Sequence, residues 1–510
     1  MDILISTLNA RFSHASLATR YLLANLDDDL RARAEICEFT IQQDTEEILA
    51  TVYDKAPKII LLGVYIWNIN ETTKLVRELK ALMPELIIVI GGPEVSHEYE
   101  ETAIFTTADY LITGWGDISA YELCRDILND QAPSDKVIKG KQPKLEEIKL
   151  PYDYYTDFDI AHRTIYVEAS RGCPFKCEFC LSSLDKTAWT FPLEDFLAAM
   201  DRLYQRGLRQ FKFIDRTFNL KREFTVQILN FFLDKLAKNP EDALFLHFEL
   251  VPDFLPEEIK ALILKFPEGS LQFEIGIQTL NTETQQLISR RTNLAKAKEN
   301  ISWLSKHTSV HLHVDLIAGL PAEDLEQFAK GFNELWSWEP QEIQLGILKR
   351  LKGTPITRHT DSFDYRYSPE APYSVFANKD MDFTTMNQMK NAAKFWDLIA
   401  NSGRFNHTLP LLFDESAFET LWQLSDYLVK CFKRTHSIPL DKLLSAVFNY
   451  LVEIKKVPIA TVQTAMGEDF MRIGLQGWPK YLGDKPADFA ERLSKHQQKT
   501  AAPKRQQQHL

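Results

Sequence analysis

One short stretch limits what this chain can form more than any other, because it holds three of the six cysteines. Cys173, Cys177 and Cys180 stand there in the spacing C-x-x-x-C-x-x-C. Three thiolates on one loop supply ligands for three irons of a [4Fe-4S] cluster, since cysteine thiolates hold such clusters. The fourth iron then lacks a protein ligand and stays open to a small molecule. The stretch therefore predicts an iron–sulfur site that binds a second compound.

Two other structures for these cysteines agree less well with the sequence. A structural zinc site takes four ligands, usually in two pairs, and the sequence offers no second cysteine pair. A disulfide scaffold is typical of small secreted proteins, whereas this chain has 510 residues. The other cysteines, Cys37, Cys124 and Cys431, are isolated, and we expect them to be small buried hydrophobic residues.

The cysteine spacing, with the aromatic Phe179 directly before the last cysteine, resembles the signature of the radical S-adenosylmethionine (SAM) enzymes. The resemblance implies a [4Fe-4S] cluster whose open iron chelates the amino and carboxylate groups of SAM. It also implies that an electron from the cluster cleaves SAM and yields a 5′-deoxyadenosyl radical. A flavodoxin- or ferredoxin-type protein is then the expected electron donor.

The N-terminal part, residues 1–135, alternates continuous apolar strands with amphipathic helices. This pattern indicates an α/β domain with a doubly wound parallel sheet, whose ligand lies at the carboxyl ends of the strands. Three predicted strands end near glycines, namely Gly63, the pair Gly91 and Gly92, and Gly114. Glycine at these ends lets a ligand approach the backbone closely.

This N-terminal part resembles the Rossmann-like cobalamin-binding domain that precedes many radical SAM cores. The matching segments are 63–65, 91–93 and 114–117, so the resemblance assigns their glycines to cobalamin binding. Trp115 departs from the pattern, because a glutamate is common at this position. A Rossmann-like domain that holds no cobalamin is the alternative.

The motif D-x-H-x-x-G, whose histidine ligates cobalt from below, does not occur in the sequence. We therefore expect the cobalt to be capped by water or by an apolar side chain. Tyr65 and Trp67 follow the strand that ends at Gly63, where such a cap is needed. His14 and His97 also lie near strand ends, although a lone histidine is more often an ordinary surface or turn residue.

A polar stretch, residues 136–160, is predicted to be a linker to a second α/β domain over residues 161–365. Six strand–helix units follow there, beginning with the strand that leads into the cysteine loop. Six units are too few to close an eight-stranded barrel. Radical SAM cores are open (β/α)6 partial barrels, so the resemblance implies that fold.

Polar residues near the ends of these strands resemble SAM-binding residues of the coproporphyrinogen-oxidase-like and methylthiotransferase branches. Glu249, Gln278, Arg290 and Asp315 are the matching residues, and Asp215 is a further candidate for contact with SAM or substrate. Arg290 suits a carboxylate partner, and Asp315 suits the two hydroxyls of a ribose. For any one of these residues, a structural hydrogen bond is the alternative.

The pattern becomes all-helical over residues 366–493, with apolar stripes such as Leu444, Val447 and Phe448. In one group of cobalamin-linked radical SAM proteins that this chain resembles, a helical C-terminal extension of unassigned function follows the core. Residues 494–510 are rich in Lys, Gln and Ala and are predicted to be a disordered tail.

Composition argues against two classes of protein. The formal net charge of −12, with a pI near 5.6, disfavours a broad nucleic-acid-binding surface. The sequence contains no apolar run of about 18 residues, so we expect no membrane span, and its first residues do not resemble a secretory signal. Free thiols and an exposed cluster predict a reducing, low-oxygen cytoplasm.

The sequence therefore predicts a radical SAM enzyme that uses a [4Fe-4S] cluster, SAM and cobalamin on a small-molecule substrate. Methyl transfer to an unactivated carbon is the commonest outcome for this architecture, and ring contraction and oxidative cyclisation also occur. A methylthiotransferase-like RNA or protein modifier is one alternative, disfavoured because a second cysteine triad and a basic RNA-binding tail domain are absent. A non-catalytic iron–sulfur redox sensor is the other, and SAM cleavage on reduction distinguishes it.

Overall fold

The computed structural model describes residues 1–475, 477–487, 489 and 502–509. It divides into two compact units, each assembled from segments that are distant in sequence. The first unit comprises Met1–Arg216, Lys349–Thr357 and Ser368–Ser374. The second unit comprises Thr217–Leu348, Arg358–Tyr367 and Val375–Leu510.

The described strands, in chain order, are β1 (Ile3–Asn9), β2 (Ala34–Thr40), β3 (Ile59–Gly63), β4 (Ile87–Gly91), β5 (Tyr110–Thr113), β6 (Val137–Lys139), β7 (Ile165–Val167), β8 (Ser170–Arg171), β9 (Trp189–Thr190), β10 (Gln210–Phe213), β11 (Phe245–Leu250), β12 (Leu271–Gln278), β13 (His311–Ala318), β14 (Glu342–Ile347), β15 (Arg366–Tyr367) and β16 (Val375–Ala377).

The described helices, in chain order, are α1 (Leu17–Ala24), α2 (Asp28–Ala32), α3 (Thr45–Lys55), α4 (Ile69–Leu82), α5 (Ala103–Thr107), α6 (Asp117–Leu128), α7 (Asp157–His162), α8 (Leu193–Gln205), α9 (Arg222–Lys238), α10 (Glu257–Ile263), α11 (Thr282–Leu287), α12 (Leu294–His307), α13 (Leu325–Trp336), α14 (Phe383–Ile399), α15 (Leu409–Leu412), α16 (Ala417–Phe432), α17 (Leu440–Asn449), α18 (Ile459–Arg472) and α19 (Lys504–Gln507).

The N-terminal sheet of the first unit is parallel, with the strand order β2-β1-β3-β4-β5-β6. Successive side chains of a strand point to opposite faces of the sheet. Leu4, Ile60 and Ile88 accordingly belong to one hydrophobic cluster, and their neighbours Ile3 and Ile59 belong to another on the other face. Helices cover both faces, so the predicted doubly wound parallel sheet is confirmed.

The sequence did not predict two strands of this sheet. β2 pairs with β1 along its whole length, but most of its residues are only partly buried, and its apolar pattern is therefore weak. β6 pairs with β5 and lies inside residues 136–160, the predicted linker. Its apolar pair of residues is too short to show a strand period. The predicted linker thus contains a strand as well as the first residues of α7.

Two segments that follow the second α/β region in sequence return to the first unit and pack on the loop after β4. Glu94, which is 4% exposed, accepts a hydrogen bond from the Tyr373 hydroxyl at 2.6 Å and forms an ion pair with Lys352 at 3.1 Å. Glu98 accepts hydrogen bonds from the Arg350 guanidinium at 2.7 Å and from the Gly353 backbone N–H at 3.1 Å. These contacts fix the backbone just beyond the carboxyl end of β4.

The second α/β region contains two parallel strands in the first unit and four in the second, and its strands alternate with helices, as the sequence predicts. In the first unit β10 pairs with β7. In the second unit β11, β12, β13 and β14 pair in sequence order. Along β13 the residues alternate between fully buried and partly buried positions, which places polar side chains on one face.

The C-terminal region begins differently from the prediction. A two-stranded antiparallel ladder of β15 and β16 precedes the helices, which start at Phe383. These strands have only two and three residues, too few for a recognisable alternation. The helices α14, α16, α17 and α18 then agree with the predicted helical domain. The domain limits given by the sequence stay predictions.

Part of the predicted disordered tail, residues 494–501 and 510, lies outside the described residues. Residues 502–509 are described and contain the short helix α19, which differs from the predicted disorder. Among the described residues, every helix falls short of the length or the apolarity that a bilayer crossing requires.

Packing of the C-terminal helices depends on Trp396 of α14, which is 1% exposed. Its ring lies 4.9 Å from Phe332, 5.5 Å from Trp336 and 5.1 Å from Phe413, measured between centroids. Trp396→Ala should lower the stability of the second unit by about 3–5 kcal/mol through lost burial and a cavity. Urea unfolding followed by circular dichroism measures this. Phe383→Ala, at a 58% exposed position, is the control, and an equal effect of both changes would contradict this packing.

Candidate cluster and cofactor sites

The three predicted cluster ligands lie on one loop between β8 and β9, which pair and close the loop at its base. Cys173 and Cys177 are buried, and Cys180 is partly exposed. The Cys173 backbone N–H donates to the Asp185 carbonyl at 2.8 Å. The Ser183 hydroxyl donates to the Cys177 carbonyl at 2.9 Å and to the Cys180 carbonyl at 2.7 Å. The loop therefore holds its three thiols on a fixed backbone.

Gly172 is needed to start this loop. Its φ of +90° lies in the left-handed region, and a Cβ there would approach the Thr187 hydroxyl to 2.6 Å. Burial, with smaller effects of the neighbouring Cys180 and Cys177, raises the pKa of the Cys173 thiol to about 11. A metal must displace that proton, because thiolate is the ligand form. Phe179, partly exposed, stands directly before the last cysteine of this set.

Arg171, the residue just before Gly172, forms the centre of a buried ionic group. Its guanidinium pairs with Glu168 at 3.0 Å and with Asp117 at 2.9 Å. It also lies over the rings of Tyr21 and Trp115, at 4.8 and 4.7 Å from their centroids. Burial alone would lower the pKa of Arg171, but the two carboxylates outweigh this effect and raise it.

Asp215 follows β10 and is 1% exposed. Its carboxylate accepts hydrogen bonds from the Ala169 backbone N–H at 3.0 Å and from the Ser170 hydroxyl at 2.5 Å. Burial raises its pKa to about 7, although these hydrogen bonds act in the opposite direction. In the structure Asp215 thus positions the strand that enters the cysteine loop, and its predicted contact with SAM or substrate stays a prediction.

A cavity of about 710 Å³ opens in the first unit at the carboxyl ends of the N-terminal strands. The four glycines predicted for cobalamin all line it: Gly63, Gly91, Gly92 and Gly114. Gly114 has a φ of +71°, and no atom lies within 4 Å of the place where its Cβ would stand. A large flat ligand can therefore approach this backbone edge closely.

Residues that precede the cysteine loop or follow β10 also line the cavity. Glu168, Arg171, Ile214 and Arg216 all line it. Arg171 thus contributes to the cavity and to the start of the cluster loop at the same time.

Tyr65 and Trp67, the predicted cobalt cap, also line the cavity, with rings stacked at 4.4 Å and 6°. His14 lines it too, but its Nδ1 lies 2.6 Å from the Tyr166 hydroxyl, and burial, more than the charges of Lys212 and Arg11, lowers its pKa. His97 does not line the cavity. It lies against Gly353, whose Cβ would approach the His97 ring to 2.4 Å.

In the second unit, the four remaining SAM candidates converge at the carboxyl half of the β11–β13 ladder. Burial raises the pKa of Asp315, as do the nearby Glu274 and Glu249, while Arg290 lowers it. These groups are therefore electrostatic neighbours. One oxygen of Asp315 is buried, lacks a hydrogen-bond partner, and lies 3.6 Å from His313 Nε2.

Gln278 reaches the same place through an unusual backbone. Its φ of +72° coincides with a register shift between Gly276 and Gln278. A Cβ on Gly276 would lie 2.3 Å from the Gln278 amide and 3.7 Å from the Arg290 guanidinium. Arg290 donates a hydrogen bond to the Gly276 carbonyl. Glycine at 276 thus makes room for both side chains.

Family models match three consecutive parts of the chain. The "B12 binding domain" model matches residues 3–123, which contain the glycines of the cavity, and the "Radical SAM superfamily" model matches residues 167–335, which contain the cysteine loop. The chain therefore contains a domain of the B12-binding family followed by a domain of the radical SAM superfamily. A third model, "Protein of unknown function (DUF4080)", matches residues 361–510.

Among curated relatives, the tRNA-2-methylthio-N(6)-dimethylallyladenosine synthase of Acinetobacter baylyi (strain ATCC 33305 / BD413 / ADP1) is 24% identical over 296 residues. The match covers 56% of this chain and 61% of that protein. The chain thus spans less than two thirds of the length of this relative.

Two solved structures share the fold. The cobalamin-dependent S-adenosylmethionine radical enzyme OxsB, with aqua-cobalamin and SAM bound, matches with a TM-score of 0.63 and 14% identity over 97% of this chain and 83% of that chain. The radical SAM methyltransferase TsrM from Kitasatospora setae, with tryptophan substrate and a SAM analogue bound, matches with a TM-score of 0.56 and 15% identity over 69% of this chain and 74% of that chain. At these identities the likeness concerns the fold.

The residues present fit the cofactors that a B12-binding domain and a radical SAM domain imply. Three cysteines on one loop provide the thiolates of a [4Fe-4S] cluster. The glycine edge of the cavity suits a corrin, since backbone must pass close to the ring. In the second unit, Arg290 near Asp315 offers a cation for the carboxylate of SAM, and Asp315 offers carboxyl oxygens for its hydroxyl groups.

Several residues of these sites were not assigned a role by the sequence analysis. Arg171, Asp117 and Glu274 are examples. Arg171 belongs to the conspicuous cysteine stretch, but its partner Asp117 is 54 residues away. Glu274 could have been found from the alternation along β12, because its side chain shares a face with Gln278. Oε2 of Glu274 lies 3.0 Å from His247 Nε2.

Replacing Cys173, Cys177 and Cys180 together with Ala should abolish the iron–sulfur absorption and reduce bound iron from about four per chain to background. Cys37→Ala and Cys431→Ala are the controls and should keep both signals. Absorption spectroscopy and iron analysis of anaerobically reconstituted protein measure this. A triple variant that keeps its cluster would remove these residues from the metal site.

Arg290→Ala should weaken SAM binding about 10- to 150-fold, which corresponds to roughly 1.5–3 kcal/mol for a lost charge-assisted hydrogen bond. Isothermal titration of the reconstituted protein with SAM measures the affinity. Arg291→Ala is the matched control, because the neighbouring Arg291 is exposed. An unchanged affinity for SAM in the Arg290 variant would show that this residue does not bind SAM.

Proposed function

We propose that this chain uses a [4Fe-4S] cluster, SAM and cobalamin to transfer a methyl group to, or to rearrange, a small-molecule substrate. One observation carries the proposal: the cavity at the carboxyl ends of the N-terminal strands is also lined by Glu168 and Arg171, which lead into the cysteine loop. Arg171 belongs to both. A cobalamin in this cavity would therefore lie beside the stretch that holds the cluster, as the joint use of the two cofactors requires.

When bound, the cluster supplies the electron that cleaves SAM, and cobalamin supplies a carrier for a methyl group. The protein contributes positions and charges. Arg290 and Asp315 are proposed to hold the methionine and ribose parts of SAM, with Glu249 and Gln278 beside them. Gly63, Gly91, Gly92 and Gly114 are proposed to admit the corrin edge and its tail. Phe179 is proposed to shield the cluster next to Cys180.

We further propose that Tyr65 and Trp67 cap the lower face of the corrin without ligating cobalt. Their stacked pair presents an apolar surface to the cavity. His14, the rival, already uses Nδ1 in a 2.6 Å contact with the Tyr166 hydroxyl. The other rival, His97, is outside the cavity lining.

Support for methyl transfer comes from TsrM, whose methyltransferase activity its name states. Methylthio transfer, the activity in the name of the Acinetobacter relative, is less consistent with the cysteines. Cys37 and Cys124 pack in different hydrophobic clusters of the N-terminal sheet, and Cys431 is exposed on α16. These three cysteines thus do not form a second cluster site.

The proposed chemistry needs one-electron reduction, so a flavodoxin- or ferredoxin-type donor and a reducing compartment such as the cytoplasm belong to the proposal. The reduced protein should convert SAM to 5′-deoxyadenosine and methionine slowly even without substrate. Formation of 5′-deoxyadenosine is followed by chromatography and mass spectrometry. A protein with an intact cluster that leaves SAM unchanged would favour the redox-sensor alternative.

Cobalamin binding has a separate test. Reconstituted protein should retain about one corrin per chain after incubation with hydroxocobalamin and desalting, and Gly114→Val should abolish retention by filling the cavity edge. Gly207→Val is the matched control, since Gly207 also has a positive φ and open space around its Cβ position but does not line the cavity. The EPR spectrum of the cob(II)alamin form should show no nitrogen superhyperfine splitting. Such splitting would refute the histidine-free site, and failure to retain corrin would refute the role of cobalamin.

A further inference from the structure

Three residues with metal-ligand chemistry converge in the second unit, away from the SAM candidates. His311 is the first residue of β13 and Glu342 is the first residue of β14. His509 follows α19 in the described C-terminal segment 502–509. Asp315 lies further along β13 towards the carboxyl end. The three residues therefore occupy the opposite end of the strands from the proposed SAM site.

The donor atoms of these residues lie close enough to share one ion. His311 Nε2 is 2.9 Å from Glu342 Oε1, and His509 Nε2 is 3.6 Å from the same oxygen. All three donor atoms lie within 4.8 Å of one another. Ligands bound at about 2.0–2.1 Å to a tetrahedral ion stand about 3.4 Å apart. Small rotations of the side chains would thus complete the geometry.

A backbone oxygen also lies close to one of these donor atoms. The Asn401 carbonyl oxygen lies 3.0 Å from His509 Nε2. The side chains are well buried, with exposures of 8% for His311, 1% for Glu342 and 7% for His509. Burial of two imidazoles and a carboxylate costs free energy unless their polar atoms are hydrogen-bonded or coordinate a metal ion.

The surrounding charges orient the carboxylate towards the imidazoles. Arg505 of α19 pairs with Glu342 Oε2 at 2.6 Å and with Asp397 at 2.6 Å. The other oxygen, Oε1, is left facing the two histidines. Ligating side chains in metal proteins are commonly held by such outer partners. The formal charges of Glu342, Asp397 and Arg505 sum to one negative charge, which a divalent cation would offset.

We propose that His311, Glu342 and His509 bind one divalent transition-metal ion of the zinc type. Imidazole and carboxylate donors suit such ions, whereas magnesium and calcium prefer oxygen ligands alone. The ion attaches segment 502–509 to the amino ends of β13 and β14. It serves a structural role, because it lies at the other end of these strands from the proposed SAM contacts.

The test uses full-length reconstituted protein with its cluster loaded, so that the cluster cysteines are occupied. The protein is incubated with zinc sulfate and dialysed, and zinc and iron are then measured by mass spectrometry. Wild type should retain about one zinc per chain. His509→Gln and Glu342→Gln should each reduce zinc at least fivefold at unchanged iron content. His436→Gln, at an exposed histidine, should retain zinc like wild type.

Zinc-edge X-ray absorption identifies the ligands without interference from iron. The proposal expects nitrogen and oxygen at about 2.0 Å with imidazole scattering, whereas a sulfur shell at about 2.3 Å would place zinc on cysteines. Unchanged circular dichroism shows that the variants fold, and the His509 variant is the safer one because its side chain lies on the terminal segment. A wild type without retained zinc, equal zinc in all variants, or a sulfur shell would each overturn the proposal.

Discussion

The first unit depends most on the ion pairs formed by the Arg171 guanidinium. A buried charge is costly unless opposite charges surround it, and Glu168 and Asp117 provide them. Asp117 begins α6 of the N-terminal domain, and Glu168 precedes the cysteine loop. Loss of Arg171 would leave the Glu168 and Asp117 carboxylates without this counter-charge, between the cobalamin-type cavity and the cluster loop. The positions of these two sites are thus set by one electrostatic group.

Much of the fold could be predicted because buried parallel strands appear as continuous apolar runs. The apolar runs at β1, β3 and β4 predicted the N-terminal sheet. The glycines at the ends of β3 and β4 indicated the edge of the sheet at which a ligand would bind. β2 and β6 could not be recognised in the same way. One lies at an edge with its side chains half exposed, and the other has three residues. The ladder of β15 and β16 is too short for any period to appear.

The candidate sites were predictable to different degrees. Cys173, Cys177 and Cys180 lie close together in sequence, and their spacing is typical of a cluster site. The residues alone were therefore sufficient to predict this site. The SAM candidates depended on a family resemblance, because nothing local shows that Arg290 lies beside Asp315. The left-handed backbone of Gln278 is likewise set by tertiary structure. Contacts between residues far apart in sequence, such as Arg171 with Asp117, became visible only in the structure.

The return of residues 349–357 and 368–374 to the first unit has a consequence for how the protein is made. The loop after β4, which follows Gly91 and Gly92 of the cavity, has its buried Glu94 paired with Lys352 and Tyr373. A ribosome synthesises these partners only after β11, β12, β13 and β14 of the second unit. Until then the Glu94 carboxylate lacks its counter-charge, and the edge of the cavity stays unsupported. The cobalamin-type domain comes first in sequence, yet it is completed late in translation.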